Sequence, residues 1–596
     1  MIKILKLILV MVGGLFLLFA SLQALSVEGS LASPVQQPTP VPPSPTPLSF
    51  EDVPNIDDLP LRDNPNMYQD DDPGSVVTMY VTVRKGNVSD NTDHTWKEVN
   101  TFTKWFYTNN EVVTVGKADA ILQVGDENGP LPGEVGYGEE VPNATIQIRG
   151  ASTSMMPQKS FKIELKKGKD TWRGQRTIAL NKHVFDISRA RNKLNFDLLK
   201  QIPNMTSLRT QFVHLYVKDE TSDPWGTTFV DYGLFTQVEL PDMTFLKAHL
   251  LDPNGQLYKT NFFEFSRYPD QIRLVDDPLF VENTFSSVLE IKGNRDNSKI
   301  IQMLDDLNNP GIPIETTFQK YFDADNYFTW MAYNILVSNV DTESQNFYLY
   351  SPQNGNKFYF LPWDYDDTFF RQDRVECCGY YPYYSWEYGI ATYWGTHLGN
   401  RVLRVRAYRQ MLDVKINELM DILTPDRIKS MLDVYKPVVE KYALQMPDLK
   451  YYKTTKQVME KDFENIPTEV QNNYNLYLES LKTSMPFFLS TPTIVDGLLN
   501  FNWEESVDFN NEDITYRFMI AQDTLFKYLV VDKTLTNVTS IKIDPLKPGD
   551  YYLRVTATNT LGKTQLPFDS FWDPIGIPRS GLKHFYINPA GEVQDK

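Results

Sequence analysis

The sequence predicts a mixed α+β protein with a separate all-β piece near its C-terminus. Three observations carry that expectation. Alternating, β-branched runs dominate from Val76 to Glu239; apolar residues at helical spacing fill Arg401 to Ser484; short alternating segments return from Thr491 to Phe571. The expected parts are a leader at 1–26, a linker at 27–75, a large α+β domain at 76–485, a small all-β domain at 488–575 and a tail at 576–596.

The leader opens with Lys3 and Lys6 and runs apolar from Leu7 to Leu25, which reads as a signal peptide or an N-terminal membrane anchor. Ala24-Leu25-Ser26 offers a small-x-small cleavage site. Either outcome makes the protein extracytoplasmic, secreted or anchored at the cell surface. Leu31 to Pro47 is rich in proline, so it favours an extended polyproline spacer, and the acidic stretch from Glu51 to Asp72 prolongs it.

Of 596 residues, 41% are hydrophobic and 13% aromatic, enough for several cores and too apolar for general disorder. The net charge of -18 argues against a nucleic-acid partner, because phosphate-backbone binding demands basic patches. The two cysteines, Cys377 and Cys378, are adjacent. They exclude a disulfide framework and a cysteine-based zinc site, and leave a vicinal disulfide or two thiols.

Order begins with the strand Val76 to Lys85, followed by strands at Glu111 to Val115 and Ala120 to Val124. Thr145 to Arg149 and Ser160 to Lys166 form a hairpin whose loop holds Gly150, Ser152, Thr153 and Ser154. Small hydroxylated residues let backbone N–H groups approach a phosphate, and Arg149, Lys159 and Lys162 add positive charge; the same residues also suit an ordinary surface hairpin. Arg191 to Ile202 has the spacing of an amphipathic helix, and Phe212 to Val217 and Tyr232 to Glu239 read as neighbouring strands. Pro241 ends the second strand, marking a crossing point between two lobes at Glu239 to Asp242, with a helix starting at Phe245. A helix from Asp325 to Val337, capped by Asp325, buries Phe328, Met331, Ala332, Ile335 and Leu336 on one face. Tyr- and Trp-rich Glu376 to Trp394 is a lid, a substrate platform or a packed insertion.

The helix leads into the most informative stretch. Phe347 to Tyr350 and Lys357 to Leu361 flank Gln353-Asn354-Gly355-Asn356, a hairpin signal. A hairpin brings its open ends together, so Asp341 and Asn346 lie close to Asp364 and Asp366, and such oxygen ligands suit a hard cation. A structural calcium ion fits that geometry too, but it gives Arg149, Lys159 and Lys162 no purpose. The order of parts follows protein kinases: a base Asp, four residues, a metal-binding Asn, two strands and a metal-binding Asp.

Together these blocks resemble the CotH (spore coat protein H) kinase family, over about Tyr80 to Ser484. The resemblance rests on Ile148-Arg149-Gly150 with Lys159-Ser160-Phe161-Lys162, Arg191-Asn192-Lys193-Leu194, Tyr232-Gly233 with Glu239 and Asp242, Asp341 with Asn346, and Pro362-Trp363-Asp364-Tyr365-Asp366. It implies a two-lobed, atypical protein-kinase-like domain that binds ATP with Mg²⁺ or Mn²⁺ and phosphorylates Ser or Thr of an extracytoplasmic protein substrate. By the resemblance, Asp341 is the catalytic base and Asn346 and Asp364 are metal ligands, with Asp366 in support. Arg149, Lys159 and Lys162 form the cationic cradle, Lys159 being favoured as the phosphate-pairing lysine, and Glu239 and Asp242 lie near the adenine. Gln158 stands where the family commonly has lysine. Downstream, Trp503 followed by Tyr552-x-x-Val555-x-Ala557-x-Asn559-x-x-Gly562 resembles a fibronectin type III module, which implies a partner such as a cell-surface protein or polysaccharide. Two other readings stand beside the kinase: a surface adhesin on a kinase-like scaffold, and an enzyme that transfers AMP to protein.

Overall fold

A computed structural model describes residues 57, 59–103, 115–222, 228–369, 386–452, 454–573 and 578–595. The expected leader, the polyproline stretch, most of the strand at Glu111 to Val115, much of Glu376 to Trp394 and both cysteines lie outside these residues. Among the described residues no helix is long and apolar enough to cross a membrane.

The first half of the chain makes one sheet from β1 (Val76–Arg84), β2 (Ala118–Asp126), β3 (Gly129–Pro130), β4 (Ala144–Arg149), β5 (Ser160–Leu165), β6 (Thr177–Asn181), β7 (Thr210–Asp219) and β8 (Val230–Val238). Its order is β1-β7-β8-β6-β5-β4-β2-β3, and β1 also pairs with β2. The sheet therefore closes on itself, which satisfies the backbone groups an open edge would leave bare. Val81, Ile146, Ile148, Phe161, Ile163, Leu215 and Phe235 belong to its buried core. They alternate with residues on the other face, as strand periodicity requires.

The helix Arg191–Leu199 departs from the amphipathic expectation, because all nine of its residues are buried. Its polar side can be buried because it is paired. Arg191 reaches Asp186 at 2.7 Å and Asp462 at 2.6 Å, and its Nε donates to the Thr368 carbonyl at 2.8 Å.

The second half combines a small sheet with helices. β9 (Gln256–Thr260), β10 (Leu289–Ile291), β11 (Phe347–Ser351) and β12 (Tyr359–Pro362) take the order β10-β9-β11-β12. Helices Ala324–Val337, Arg406–Ile422, Pro425–Ala443 and Lys456–Ser480 pack around a core that includes Trp330, Tyr333, Phe347, Phe360 and Tyr365. The helix cap is Asp323, not Asp325: the Asp323 carboxylate, on an extended backbone, accepts from Asn326 N at 2.7 Å. Asp325 pairs with Lys415 instead, at 3.0 Å.

At the C-terminus, β13 (Thr493–Val495), β14 (Leu498–Asn502) and β17 (Ser540–Ile543) form one sheet. β16 (Leu529–Thr536), β15 (Thr515–Ala521) and β18 (Gly549–Thr558) form another, extended by strands Lys583–Ile587 and Val593–Asp595. Leu499, Phe501, Trp503, Phe518, Val555 and Phe585 share one buried core. The stretch expected as a tail thus supplies three strands, Pro578–Ser580 among them; His584, Phe585 and Ile587 are buried as Lys583–Ile587 pairs with β18. The segment expected as a spacer is also docked from residue 59 onward. Asp63 accepts from Ser207 N at 2.9 Å, and Tyr359 OH donates to Leu59 O at 3.1 Å.

Candidate active site

The hairpin forms as its sequence implies, with Phe347 opposite Pro362. Asn346, one step before that pair, and Asp364, two steps after it, therefore lie at the same open end. Both adopt left-handed backbone, φ 58° and 59°, a region that Asn and Asp tolerate better than other residues with a Cβ. Strained conformations of this kind persist where the surroundings hold them. Asn339 Nδ2 donates to Asp364 O at 3.4 Å, Asn192 Oδ1 accepts from Tyr365 N at 3.1 Å, and His183 Nδ1 stands 3.1 Å from Asp366 Oδ2. The buried helix Arg191–Leu199 thus holds the segment that follows β12.

Burial, and then the neighbouring Asp366 carboxylate, push the Asp364 carboxyl up to about 7, while Lys259, Arg149 and His183 pull the other way. Further positive charge placed beside Asp364 would favour its ionised form. The Arg149 guanidinium lies 5.8 Å from the centre of the Trp363 ring, and its Nη1 is buried without a hydrogen-bond acceptor. Asp341 lies in the 3-10 turn Val340–Thr342 and is half-buried. Beside it, burial together with Asp341, Glu387 and Glu264 pushes Glu343 up to about 7.

The other expected site residues are placed as follows. Lys162 is in register with Gln147, two residues from Arg149 on β4, so it shares Arg149's face of the sheet; its Nζ is 3.2 Å from Glu164. Lys159, just before β5, donates to Ser154 O at 2.5 Å and so braces the loop. Glu239 is buried between Arg209 and His249, and Asp242 caps the helix Met243–Ala248, accepting from Thr244 N at 2.7 Å and Phe245 N at 2.9 Å. The structure therefore gathers Asn346, Asp364, Asp366 and Arg149, and gives Lys159, Glu239 and Asp242 partners of their own. Gln158, at the position where lysine was expected, donates to Asp448 at 2.6 Å, and Asp448 also accepts from Leu234 N at 2.8 Å and pairs with Lys182 at 2.6 Å.

Sequence reasoning missed Lys259, His183 and Glu343. Lys259 interrupts the otherwise buried strand QLYKT, the one signal it carries; His183 and Glu343 lie in irregular segments, where spacing says little.

An Asp, an Asn five residues on, a two-stranded hairpin and a buried Asp, near a cation from a β-sheet, follow the order of parts in protein kinases. The CotH kinase protein family matches residues 146–477, more than half of the chain, and the chain belongs to that family. It is also similar to the inner spore coat protein H of Bacillus subtilis (strain 168), 25% identical over 253 residues, which is 42% of this chain and 65% of the relative. The chain thus spans less than two thirds of that relative's length.

Proposed function

We propose that this protein is an exported kinase that transfers the γ-phosphoryl group of ATP to Ser or Thr of a protein substrate. The observation that carries the reading is the meeting of Asn346 and Asp364 in left-handed backbone at one hairpin end, beside Arg149, whose Nη1 is buried without an acceptor. In phosphoryl transfer a protein mainly positions groups and neutralises charge, and these residues suit that task. Asp341 orients or deprotonates the incoming hydroxyl. Asn346 and Asp364, with Asp366 in support, are the ligands for Mg²⁺ or Mn²⁺, which when bound neutralises phosphate charge. Among the described residues no three His, Cys, Asp or Glu side chains are grouped to hold a metal by themselves. That agrees with a cation sharing its shell with nucleotide oxygens, as Mg²⁺ commonly does. Lys162, on Arg149's face, is the better candidate than Lys159 for pairing with phosphate. Because the Glu239 and Asp242 side chains are engaged, adenine recognition by that crossing segment falls to its backbone.

The relative's name, with the apolar leader, supports an extracytoplasmic location, coat-associated or at the cell surface, with the substrate a protein of the same compartment. We read 488–575 and the strand Lys583–Ile587 as a fibronectin type III-like module; the three-stranded β13-β14-β17 and the β16-β15-β18 sheet around Trp503 support this. The test is transfer of labelled γ-phosphate to a generic protein substrate with Mg²⁺ or Mn²⁺. Wild type should label it and Asp364→Ala should not; equal labelling by both would end the reading.

A further inference from the structure

We infer that Lys259 binds the phosphates of the nucleotide from the wall facing Arg149, an inference that rests on the kinase reading above. Lys259 lies on β9 in register with Glu290 on β10 and Tyr348 on β11. Directly paired residues project to the same side, so these three side chains share one face of the lower sheet. Tyr348 is in turn opposite Leu361 on β12, two residues before Trp363. The Trp363 indole receives two cations: the Arg149 guanidinium at 5.8 Å and the Lys259 ammonium at 5.9 Å from its centre. One comes from the closed sheet and the other from the lower sheet, so they meet only where the two halves face each other, beside Asp364.

These two cations differ from three buried ones that carboxylates answer. Arg191 is paired with Asp186 and Asp462, Lys182 with Asp448, and Lys193 with Asp197. Arg149 Nη1, by contrast, has no acceptor, and among the described residues no carboxylate closes an ion pair with Lys259, whose strongest attractions are to Glu290 and then Asp364. Two like charges held beside one ring repel each other, and an anion joining them relieves that repulsion. A polyphosphate supplies that anion. Arg149 and Lys162 would hold it from above and Lys259 from below, while Asp364 and Asn346 face its metal. A lysine that only balanced Glu290 and Asp364 would make no difference to phosphate binding.

The experiment titrates the full-length chain, with Mg²⁺ present, against ATP, inorganic tripolyphosphate and adenosine by calorimetry. It compares wild type with Lys259→Met, Lys259→Gln and Lys259→Arg, and records each unliganded melting temperature. Loss of one charge-assisted contact should weaken ATP and tripolyphosphate about 10- to 100-fold in the Met and Gln variants. Adenosine binding should stay unchanged, and Lys259→Arg should recover most of the phosphate affinity. Should Lys259→Met fold poorly, Lys259→Gln is read by the same criteria. ATP affinity equal to wild type in the neutral variants, or equal weakening of adenosine and ATP, overturns the assignment of Lys259. If wild type binds none of the three ligands, the kinase reading fails, and Lys259 with it.

Discussion

Asp341 and Asp364 make different demands on their surroundings, and single substitutions should separate them. A base acts on the incoming hydroxyl only in the transition state, so Asp341→Asn should lower phosphoryl transfer by roughly 10²- to 10⁴-fold while leaving nucleotide affinity near wild type. A variant that loses nucleotide binding along with turnover would place Asp341 among the proposed metal ligands instead. The second residue-scale argument concerns His249, buried between Asp63 of the docked N-terminal segment and Glu239 of the crossing segment, at 2.5 and 3.1 Å. Burial opposes its protonation, but hydrogen bonds to Asp63 and Glu239 win and raise it from 6.5 to about 9. Burial would likewise raise Glu239, but hydrogen bonds from His249 and Arg209 lower it from 4.5 to about 2. The signs follow by linkage. The His249 contribution is complete below 6.5 and lost as pH rises through about 9; the Glu239 contribution is complete above 4.5 and lost as pH falls through about 2. This cluster should therefore stabilise most between those two ordinary values. Denaturant titrations of His249→Gln should show stability lower by roughly 3–5 kcal/mol at pH 6, and a flatter profile between neutral and alkaline pH. An unchanged slope there would remove the cluster as its source.

Among the elements, the hairpin and the long strands were legible because period-two alternation and an Asn-Gly turn are local signals. The helix Ala324–Val337 was legible in type but not in cap: Asp323 and Asp325 both precede the apolar stripe, and only the extended backbone at Asp323 decides between them. Asp323→Ala should cost about 1 kcal/mol by losing a cap, and Asp325→Ala, at an exposed ion pair with Lys415, about 0–1 kcal/mol. Chemical denaturation of both variants checks the order. The polar face of Arg191–Leu199 gave no sign of burial, because its partners Asp462 and Thr368 are far away in sequence. Gly233 on β8 has a similar dependence on distant chain. Its φ is 75°, and an added Cβ would lie 2.3 Å from the Asp448 carboxylate, which also holds Leu234 N, Gln158 and Lys182. Gly233→Ala should thus loosen the closed sheet from the helical half and lower the melting temperature, whereas Gly168→Ala, at a positive φ facing open space, should cost only its local strain.

At the scale of the whole molecule, the sequence sets an α+β body ending at 485 apart from an all-β piece starting at 488, because helical spacing gives way to short alternating strands there. Chain texture reveals where elements change but not which surfaces later meet. Phe509 packs on Trp394 with ring centres 5.7 Å apart and lies 4.1 Å beneath Arg409; Trp386 packs on Phe568 at 5.3 Å. Backbone bonds continue the contact: Met485 N donates to Val507 O at 2.8 Å, and Asn559 Nδ2 donates to Lys482 O at 2.9 Å. A cleft of about 460 Å³ remains where the two pieces meet, lined by Glu264, Trp394, Arg404, Phe488 and Phe568 and by none of Asp341, Asn346, Asp364 or Arg149. A freely tethered module would leave these aromatic rings in water, at a cost that grows with the apolar area exposed. The sandwich should accordingly unfold with the body rather than apart from it. Scanning calorimetry of the full chain should show one cooperative transition spanning both, and a chain ending at 485 should melt at a lower temperature. Two resolved transitions, with the truncated body melting as it does in the full chain, would make the module an independent appendage.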